Sequence, residues 1–175
     1  MKLILTTGVR RTGSTWQYNV IRLALIEAGY NVYGNGEYHP KIDADYYIIH
    51  IHGYDDELRK KAWKIFTTIR DFEGIRESLK RMGWEKSDDN IMKYITEWSL
   101  WWRWACHITN FNELMSNGLL ENELIAIYDI IMELNIMADA NVVQKQLHLL
   151  KPPAIGEYAK TGGYHPVTLL HPNHY

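Results

Sequence analysis

The sequence predicts an α/β fold in which helices flank a central parallel β-sheet. Short β-rich runs alternate along the chain with stretches whose apolar residues recur at helical spacing. This alternation is typical of parallel sheets, because a helix usually forms the crossover between two parallel strands. The length of 175 residues fits one domain, and no repeat, low-complexity tract or linker divides it. We therefore expect a single domain over 1–175, with an irregular tail over 156–175.

Four runs have the composition of buried strands. The first is the apolar run Leu3–Thr6, which a glycine turn follows. Tyr46–Ile51 and Ile65–Ile69 are rich in β-branched and aromatic residues, and Leu124–Tyr128 is the fourth run. Ligands of parallel sheets bind at the carboxyl ends of the strands. The residues directly after each strand are therefore the candidates for a functional site.

Four stretches have helical spacing or the signals that begin and end helices. They are Ser14–Ala28, Asp71–Met82, Asp88–Met115 and Ala140–Leu150. Gly29 supplies a stop for the first helix, and the acidic start and basic end of the second match the helix dipole. Ser87 or Asp88 can cap the third helix, and Asp139 can cap the last.

Composition and charge exclude several classes of protein. Nineteen basic and 21 acidic residues give a net charge of −2, so no global basic field is available for nucleic acid. No apolar run approaches the roughly 18 residues that span a bilayer, and the leading run before Arg10 is too short for a signal peptide. The single cysteine, Cys106, excludes a disulfide framework and agrees with a reducing compartment. We expect a cytoplasmic protein with no nucleic-acid partner and no membrane segment.

The turn after the first strand has the shape of a phosphate-binding loop. Gly8 and Gly13 have the spacing of a P-loop, and Ser14 and Thr15 follow directly. The glycines let successive N–H groups point inward, and the helix N-terminus adds partial positive charge. Nucleoside triphosphatases have a lysine where this chain has Ser14, and the cation here comes earlier, at Arg11. The alternative is a tight strand-to-helix turn with incidental arginines.

The segment Arg-Arg-Thr-Gly-Ser-Thr-Trp over 10–16 resembles the 5′-phosphosulfate loop of sulfotransferases. That family usually has Pro-(Lys/Arg)-Ser-Gly-Thr-Thr-Trp, so Arg10 stands in place of the proline. The resemblance implies that Arg11 touches the sulfate and its bridging oxygen, and that Trp16 lies beside the adenine of the donor. It also implies that the 5′-phosphate is held by Thr12, Gly13, Ser14 and Thr15.

A second motif follows the third predicted strand. Arg70 ends that strand, and Ser78 lies eight residues later in the following helix. Arginine can pair with phosphate through two N–H groups, and a serine two turns on adds a hydroxyl donor. Sulfotransferases have this arrangement to grip the 3′-phosphate of the donor, with a proline where this chain has Phe72. The alternatives are an ion pair of Arg70 with a neighbouring carboxylate, Asp71 or Glu73, and a solvated Ser78.

The second predicted strand carries two histidines near its carboxyl end. Sulfotransferases have Lys-Thr-His there, so the resemblance implies that His52 is the base that takes the proton from the acceptor and that His50 occupies the lysine position. The chemistry suits histidine, whose pKa lies near neutrality. A histidine with only a core or surface role remains the alternative for His52.

Two groups of histidines leave a metal site open as an alternative. His50 and His52 share one face of the predicted strand, but no firm third ligand accompanies them. His165, His171 and His174 lie in the tail without a recognisable zinc spacing, and nearby prolines favour an extended chain there. We expect no metal.

A tryptophan-rich stretch has two interpretations. Trp98, Trp101 and Trp102 fall at helical i, i+3, i+4 spacing, which usually marks a stripe that packs into the core. The alternative is an aromatic wall of the acceptor pocket, which would favour a flat or apolar-bodied acceptor.

Two later segments also resemble parts of sulfotransferases. Ile125–Asp129 resembles a late strand that ends in Tyr-Glu-Asp in the family, and the resemblance implies a structural role. Lys160 and Gly162 stand where larger members carry a basic, glycine-containing loop that closes over the 3′-phosphate.

The resemblance as a whole implies a P-loop NTPase-like sulfotransferase fold and a matching activity. The expected reaction moves a sulfuryl group from 3′-phosphoadenosine 5′-phosphosulfate (PAPS) to a hydroxyl or amine of a small-molecule or glycan acceptor. The product of the donor is adenosine 3′,5′-bisphosphate (PAP), and the reaction needs no metal. The alternatives are a non-catalytic nucleotide-binding module and a nucleotide kinase or NTPase on a degenerate P-loop.

Overall fold

A computed structural model describes residues 1–35, 42–116, 119–158 and 164–171. At its centre is a five-stranded, all-parallel sheet with helices on both faces, so the predicted fold class is confirmed. The strands are β1 (Lys2–Gly8), β2 (Val32–Asn35), β3 (Tyr46–His50), β4 (Lys64–Ile69) and β5 (His107–Asn110). Their order across the sheet is β2-β3-β1-β4-β5, so β1 is central and its carboxyl end lies between those of β3 and β4.

Seven α-helices and one 3₁₀ turn are found in the described residues. The helices are α1 (Ser14–Glu27), α2 (Asp56–Lys61), α3 (Phe72–Arg81), α4 (Asp88–Trp98), α5 (Phe111–Leu114), α6 (Leu119–Leu134) and α7 (Ala140–Leu149), and the 3₁₀ turn is Ser99–Arg103. Side chains cap several of these helices as the sequence predicts. Asp71 accepts from the N–H of Gly74, Ser87 from that of Asn90 and Asp139 from that of Asn141.

The alternation of side chains along the strands divides the core into two layers. Ile4, Ile48 and Phe66 face one side, where they pack with buried residues of α1, α6 and α7. Leu3 and Leu5 face the other side, where the fully buried Trp101 covers the sheet. The phosphate-loop end of β1 is therefore held between two packed layers.

Leu124–Tyr128 was predicted as a strand, and this prediction is wrong because the segment lies inside α6. The short apolar run has no visible period by itself, and such a run cannot be assigned from periodicity. Over a longer window the buried residues of α6 recur at helical spacing, at Ile127, Ile130, Ile131 and Leu134. The resemblance of Ile125–Asp129 to a late strand of sulfotransferases is therefore also wrong, because this segment is helical.

Asp88–Met115 was predicted as one long helix, and this prediction is also wrong. Helix α4 ends at Trp98, a 3₁₀ turn follows, and β5 then pairs in parallel with β4. Burial of Trp101 under the sheet and the bond from the N–H of Cys106 to the carbonyl of Ile65 bring the chain to the sheet edge. Tertiary contacts therefore outweigh the local helical spacing. The short elements β2 and α2 had no clear signal in the sequence.

The tryptophan stripe divides between the two interpretations. Trp101 is a core residue with no exposed surface, whereas Trp102 is 40% exposed. Trp98 is half-buried and lies against His52. In the described parts of the chain, no helix is long and apolar enough to cross a membrane.

Trp101→Ala should lower the free energy of unfolding by about 3–5 kcal/mol, because it removes a fully buried aromatic side chain and leaves a cavity. Trp102→Ala is the matched control and should lower it by clearly less, since 40% of that residue's surface stays exposed. Urea denaturation of both variants measures the difference. Equal losses would contradict the position of Trp101 in the core.

Candidate functional site

The site forms where the central strands end at one edge of the sheet. The loop 9–13 follows β1, His52 follows β3 and Arg70 follows β4. Because these three strands are neighbours in a parallel sheet, the loops that follow them lie together. Chain order alone therefore brings the predicted site residues to a common edge.

Glycine is required at both ends of the phosphate loop. Gly8 and Gly13 have φ of 138° and 88°, values that side-chain-bearing residues rarely adopt. A Cβ on Gly13 would lie 2.1 Å from the ring of Phe111, and one on Gly8 would lie 2.4 Å from Thr68 Oγ1. Arg11, also at positive φ (72°), turns the chain between them.

The N-terminus of α1 is open to an anion. Gly13 caps the helix without a side-chain hydrogen bond, and the first backbone bond of the helix runs from the N–H of Gln17 to the carbonyl of Gly13. The N–H groups of Ser14, Thr15 and Trp16 precede it and have no acceptor within the helix. Together with the helix dipole they make a site for a phosphate oxygen.

Two of the predicted phosphate-binding hydroxyls point into the protein. The Thr12 hydroxyl donates to the Val9 carbonyl at 2.6 Å and lies 2.6 Å from Thr68 Oγ1, and the residue is 1% exposed. Ser14 is also buried, with Oγ 2.9 Å from His50 Nε2. Both residues shape the loop through these contacts, and the backbone N–H groups are left to meet an anion.

The second motif lies directly against the first. Arg11 Nε donates to Ser78 Oγ at 2.8 Å, and Arg70 Nη1 donates to the Arg11 carbonyl at 3.3 Å. Arg11 therefore bridges the loop after β1 and the helix that follows β4. The two predicted phosphate-binding motifs, the loop after β1 and the pair Arg70 and Ser78, are therefore adjacent in the structure.

Positive charge accumulates between these motifs. Burial lowers the pKa of Arg11 and of Arg70, and the charge of Arg81 lowers both further. The charges of Asp71 and Glu77 raise the pKa of Arg70 and offset part of this effect. Within the described part of the chain, none of the three guanidinium groups forms a salt bridge. Clustered cations that lack a salt bridge favour the binding of an anion.

Arg70 forms no salt bridge with Asp71 or Glu73 within the described residues. Asp71 accepts from the N–H of Gly74, although its charge still raises the pKa of Arg70, and Glu73 forms its salt bridge with Arg76. Ser78 is 2% exposed rather than solvated. Both side chains are directed into the site.

Sequence reasoning missed two residues that position Arg70. Arg70 crosses the face of the Phe111 ring at 5.2 Å, a cation–π contact. A Cβ on Gly74 would lie 2.3 Å from Arg70 Nε, so glycine leaves room for the guanidinium. Arg70 Nε is buried and has no hydrogen-bond partner among the described residues. The sequence did offer one signal for Gly74, because a glycine is unusual in the first turn of a helix. No neighbouring residue in the sequence indicated that Phe111 would contact Arg70.

His52 is held in the tautomer that a base requires. Its Nδ1 lies 2.8 Å from the Gly8 carbonyl, and because a carbonyl only accepts, Nδ1 carries the hydrogen. The lone pair is therefore on Nε2. The ring stacks on Trp98 with centroids 5.5 Å apart. Burial lowers the pKa of His52 to about 4, and the charges of Arg10 and Arg11 act in the same direction, so the ring is neutral at pH 7.

The metal alternatives find no support in the geometry. The rings of His50 and His52 lie 4.8 Å apart, but His50 bonds to Ser14 and His52 to Gly8. In the regions that the structure describes, no group of three or more potential ligands from His, Cys, Asp and Glu is found. In the tail, His165 Nδ1 accepts from two backbone N–H groups, and His171 packs against Trp84.

A cleft of about 510 Å³ opens beside the loop. Arg10 and Lys86 lie on it, its apolar side chains are Val9, Ile75, Leu79 and Ile91, and its aromatic side chains are Trp84, Tyr94 and Trp98. Tyr94 stacks on Trp98 at 4.9 Å, and Trp98 stacks on His52. A continuous aromatic wall therefore leads from the cleft to the candidate base.

Part of the tail lies close to the site. Tyr18 donates to the Val167 carbonyl at 2.9 Å and Asn19 to the Thr168 carbonyl at 2.8 Å, which fixes this segment on α1. Lys160, Gly162 and His174 lie outside the described residues.

Comparison with known proteins gives matches among the solved structures. No protein-family model and no curated protein sequence matches the chain. The structure matches a crystal structure of the mouse sulfotransferase SULT7A1 complexed with PAP, with a TM-score of 0.63 over 96% of this chain and 70% of that chain. The fold is that of a sulfotransferase. At 12% identity the match with SULT7A1 shows the fold alone.

The stability of the protein should fall as the pH is lowered from about 6.5 towards 4. Folded His52 has a pKa of about 4 against 6.5 for an ordinary histidine, so the unfolded chain binds more protons in this interval. This difference in the pKa of His52 corresponds to about 3 kcal/mol in the free energy of unfolding.

His52→Gln should remove this contribution, because glutamine does not titrate. Urea denaturation of wild type and variant at pH 7 and pH 4.5 measures it. The free energy of unfolding of the wild type should drop by about 2–3 kcal/mol more than that of His52→Gln. An equal pH dependence would contradict a buried, neutral His52.

Proposed function

We propose that the chain is a sulfotransferase that moves a sulfuryl group from PAPS to a hydroxyl or amine acceptor. The observation that carries the proposal is the contact of Arg11 with Ser78, because it joins the helix N-terminus to the Arg70 motif. One ligand with phosphates on the 3′ and 5′ oxygens of the same ribose matches two adjacent anion sites. A mononucleotide with one phosphate would leave one of them unused.

Each part of the donor has a group on this chain that suits it. The N–H groups at the start of α1 would hold the 5′-phosphate, and Arg70 with Ser78 would hold the 3′-phosphate. Trp16, in the first turn of α1, offers an aromatic face for adenine. Lys160 and Gly162 remain predictions for the loop over the 3′-phosphate. When bound, PAPS supplies a sulfuryl group on a phosphate that can leave.

The residues present fit an anionic donor. The buried Arg70 Nε has no partner among the described residues, and the nearby guanidinium groups of Arg11 and Arg81 form no salt bridge there. A phosphate would give these donors the acceptors that they need. This pattern is unlike that of a structural arginine, which usually pairs with a carboxylate.

His52 is the proposed general base. Its Nε2 would take the proton of the acceptor, and the hydrogen bond from Nδ1–H to the Gly8 carbonyl would stabilise the imidazolium that forms. Anionic groups beside Arg10 and Arg11 would offset the repulsion that lowers the pKa of His52. We therefore expect this pKa to rise when the donor binds. Arg11 and the loop N–H groups would stabilise negative charge that develops on the leaving phosphate.

The aromatic wall of the cleft suits an acceptor with a flat body. This wall is the stacked pair Tyr94 and Trp98, which ends at His52, and the charged residues Arg10, Glu85 and Lys86 also line the cleft. An aromatic alcohol fits such a wall, with its hydroxyl directed to the base. Calorimetry with PAP and with ATP–Mg²⁺ separates this proposal from a kinase or NTPase, which would prefer ATP.

Arg70→Ala should weaken the binding of PAP by at least about 100-fold, because it removes a charged partner of the 3′-phosphate. AMP lacks that phosphate and should lose less than about threefold. The control is Arg76→Ala, which removes an arginine of the following helix that pairs with Glu73. Calorimetry measures the affinities of wild type and both variants for PAP and for AMP. Equal losses for PAP and AMP would contradict a 3′-phosphate site.

His52→Ala should lower the turnover of labelled sulfate from PAPS to a phenol by about 10²- to 10⁴-fold, the usual contribution of a positioned base. The affinity for PAP should stay within about twofold, since His52 is not a proposed donor contact. His165→Ala, which alters a turn in the tail, is the control. Loss of PAP affinity with unchanged turnover per bound donor would show that His52 is not the base. A wild-type protein that binds PAP but transfers no sulfate would favour the non-catalytic module.

A further inference from the structure

The indole of Trp16 is held by a buried carboxylate from a distant part of the chain. Trp16 Nε1 donates to Glu123 Oε1 at 3.0 Å, and 107 residues separate the two in sequence. Glu123 lies on α6 and is only 6% exposed. This contact ties the first turn of α1, next to the phosphate loop, to the helix that was predicted as a strand.

The second oxygen of Glu123 is held from α7. Glu123 Oε2 accepts from Gln144 Nε2 at 3.1 Å and lies 2.5 Å from His148 Nε2. Gln144 Nε2 also donates to the Leu120 carbonyl at 2.8 Å, which fixes its own amide. Trp16 therefore holds Oε1, and two side chains of α7 hold Oε2, so both carboxylate oxygens have partners.

A carboxylate is an unfavourable choice for packing at this position. Burial of a charge is costly unless hydrogen bonds compensate it, and an aliphatic side chain would fill the same space without that cost. What a carboxylate adds is a directional acceptor for the indole N–H. The arrangement therefore suits a role in fixing the orientation of the Trp16 ring.

One part of this ring packs against the core, and the part that stays exposed is available to stack on a ligand. Trp16 is half-buried, so its side chain keeps exposed surface, and it follows directly after Ser14 and Thr15 at the anion-binding N-terminus of α1. A base attached to a phosphate at that N-terminus would come within reach of the first turn. Base–aromatic stacking needs parallel planes, and a ring held at one edge is already set for it.

We propose that Glu123 is a positioning residue that acts through Trp16 on recognition of the donor's adenine. This inference rests on the proposed function, because it requires a nucleotide at α1. Glu123 makes no contact with the phosphates or the acceptor in this account. Its effect is confined to the part of the affinity that depends on the base.

The test compares PAP with ribose 3,5-bisphosphate, which has the same two phosphates and no base. Calorimetry is carried out on wild type, Glu123→Leu, Glu123→Gln and Trp16→Phe. Glu123→Leu and Trp16→Phe each lose the N–H···O bond and should bind PAP about 5- to 20-fold more weakly, with ribose bisphosphate changed less than about twofold. Glu123→Gln keeps an acceptor oxygen and should bind PAP almost as wild type does.

The double variant Trp16→Phe with Glu123→Leu tests whether Glu123 acts through Trp16. The second substitution should add less than about twofold to the first, because the bond is already absent. Equal weakening of both ligands, or no weakening of PAP, would overturn the positioning role while leaving PAP binding and the proposed function intact. If Glu123→Leu does not fold, the Trp16→Phe variant provides the test. A Trp16→Phe variant that binds PAP as tightly as wild type does would overturn the inference.

Failure of the proposed function has a different signature. A wild-type protein that binds neither PAP nor ribose bisphosphate has no bisphosphate site, and the inference then falls together with the function. Wild-type binding of both ligands with equal affinity would leave the phosphate grips in place but show that Trp16 and Glu123 recognise no base.

Discussion

The contact between Arg11 and Ser78 is the constraint on which the site depends. It requires the loop after β1 to turn through positive φ at Arg11 and the helix after β4 to present Ser78 inward. Glycine at both ends of the loop allows the first condition, and adjacency of β1 and β4 in the sheet allows the second. Without this contact the chain would have two unrelated anion sites, whereas with it a hydrogen bond joins the two motifs.

The site has a positively charged part, formed by arginines, and an uncharged part, formed by the candidate base. The guanidinium groups of Arg11, Arg70 and Arg81 form no salt bridge within the described residues, so this end favours an anion. Burial, together with the charges of Arg10 and Arg11, keeps His52 neutral and its Nε2 lone pair available. A group of cations next to a neutral base suits transfer from an anionic donor to a neutral acceptor. The ring of Trp98 stacks on this base.

Short sequence patterns were enough to predict the fold class, the glycines of the loop after β1 and the position of Arg70 at the end of a strand. Each of these features depends on a few adjacent residues. Long-range packing decided the rest. Leu124–Tyr128 is helical because Ile127 packs with residues of α1 and α7, and His107–Asn110 is a strand because it pairs with β4. The contact of Glu123 with Trp16 spans 107 residues and leaves no pattern in a single sequence.

A crystal structure of the protein with PAP tests the central claim most directly. The account predicts the 5′-phosphate at the N–H groups of Ser14 to Trp16, and the 3′-phosphate between Arg70 and Ser78 with Arg11 beside it. The cleft lined by Tyr94 would stay open on the side of His52. A nucleotide bound elsewhere, or bound with only one phosphate on these residues, would contradict the account.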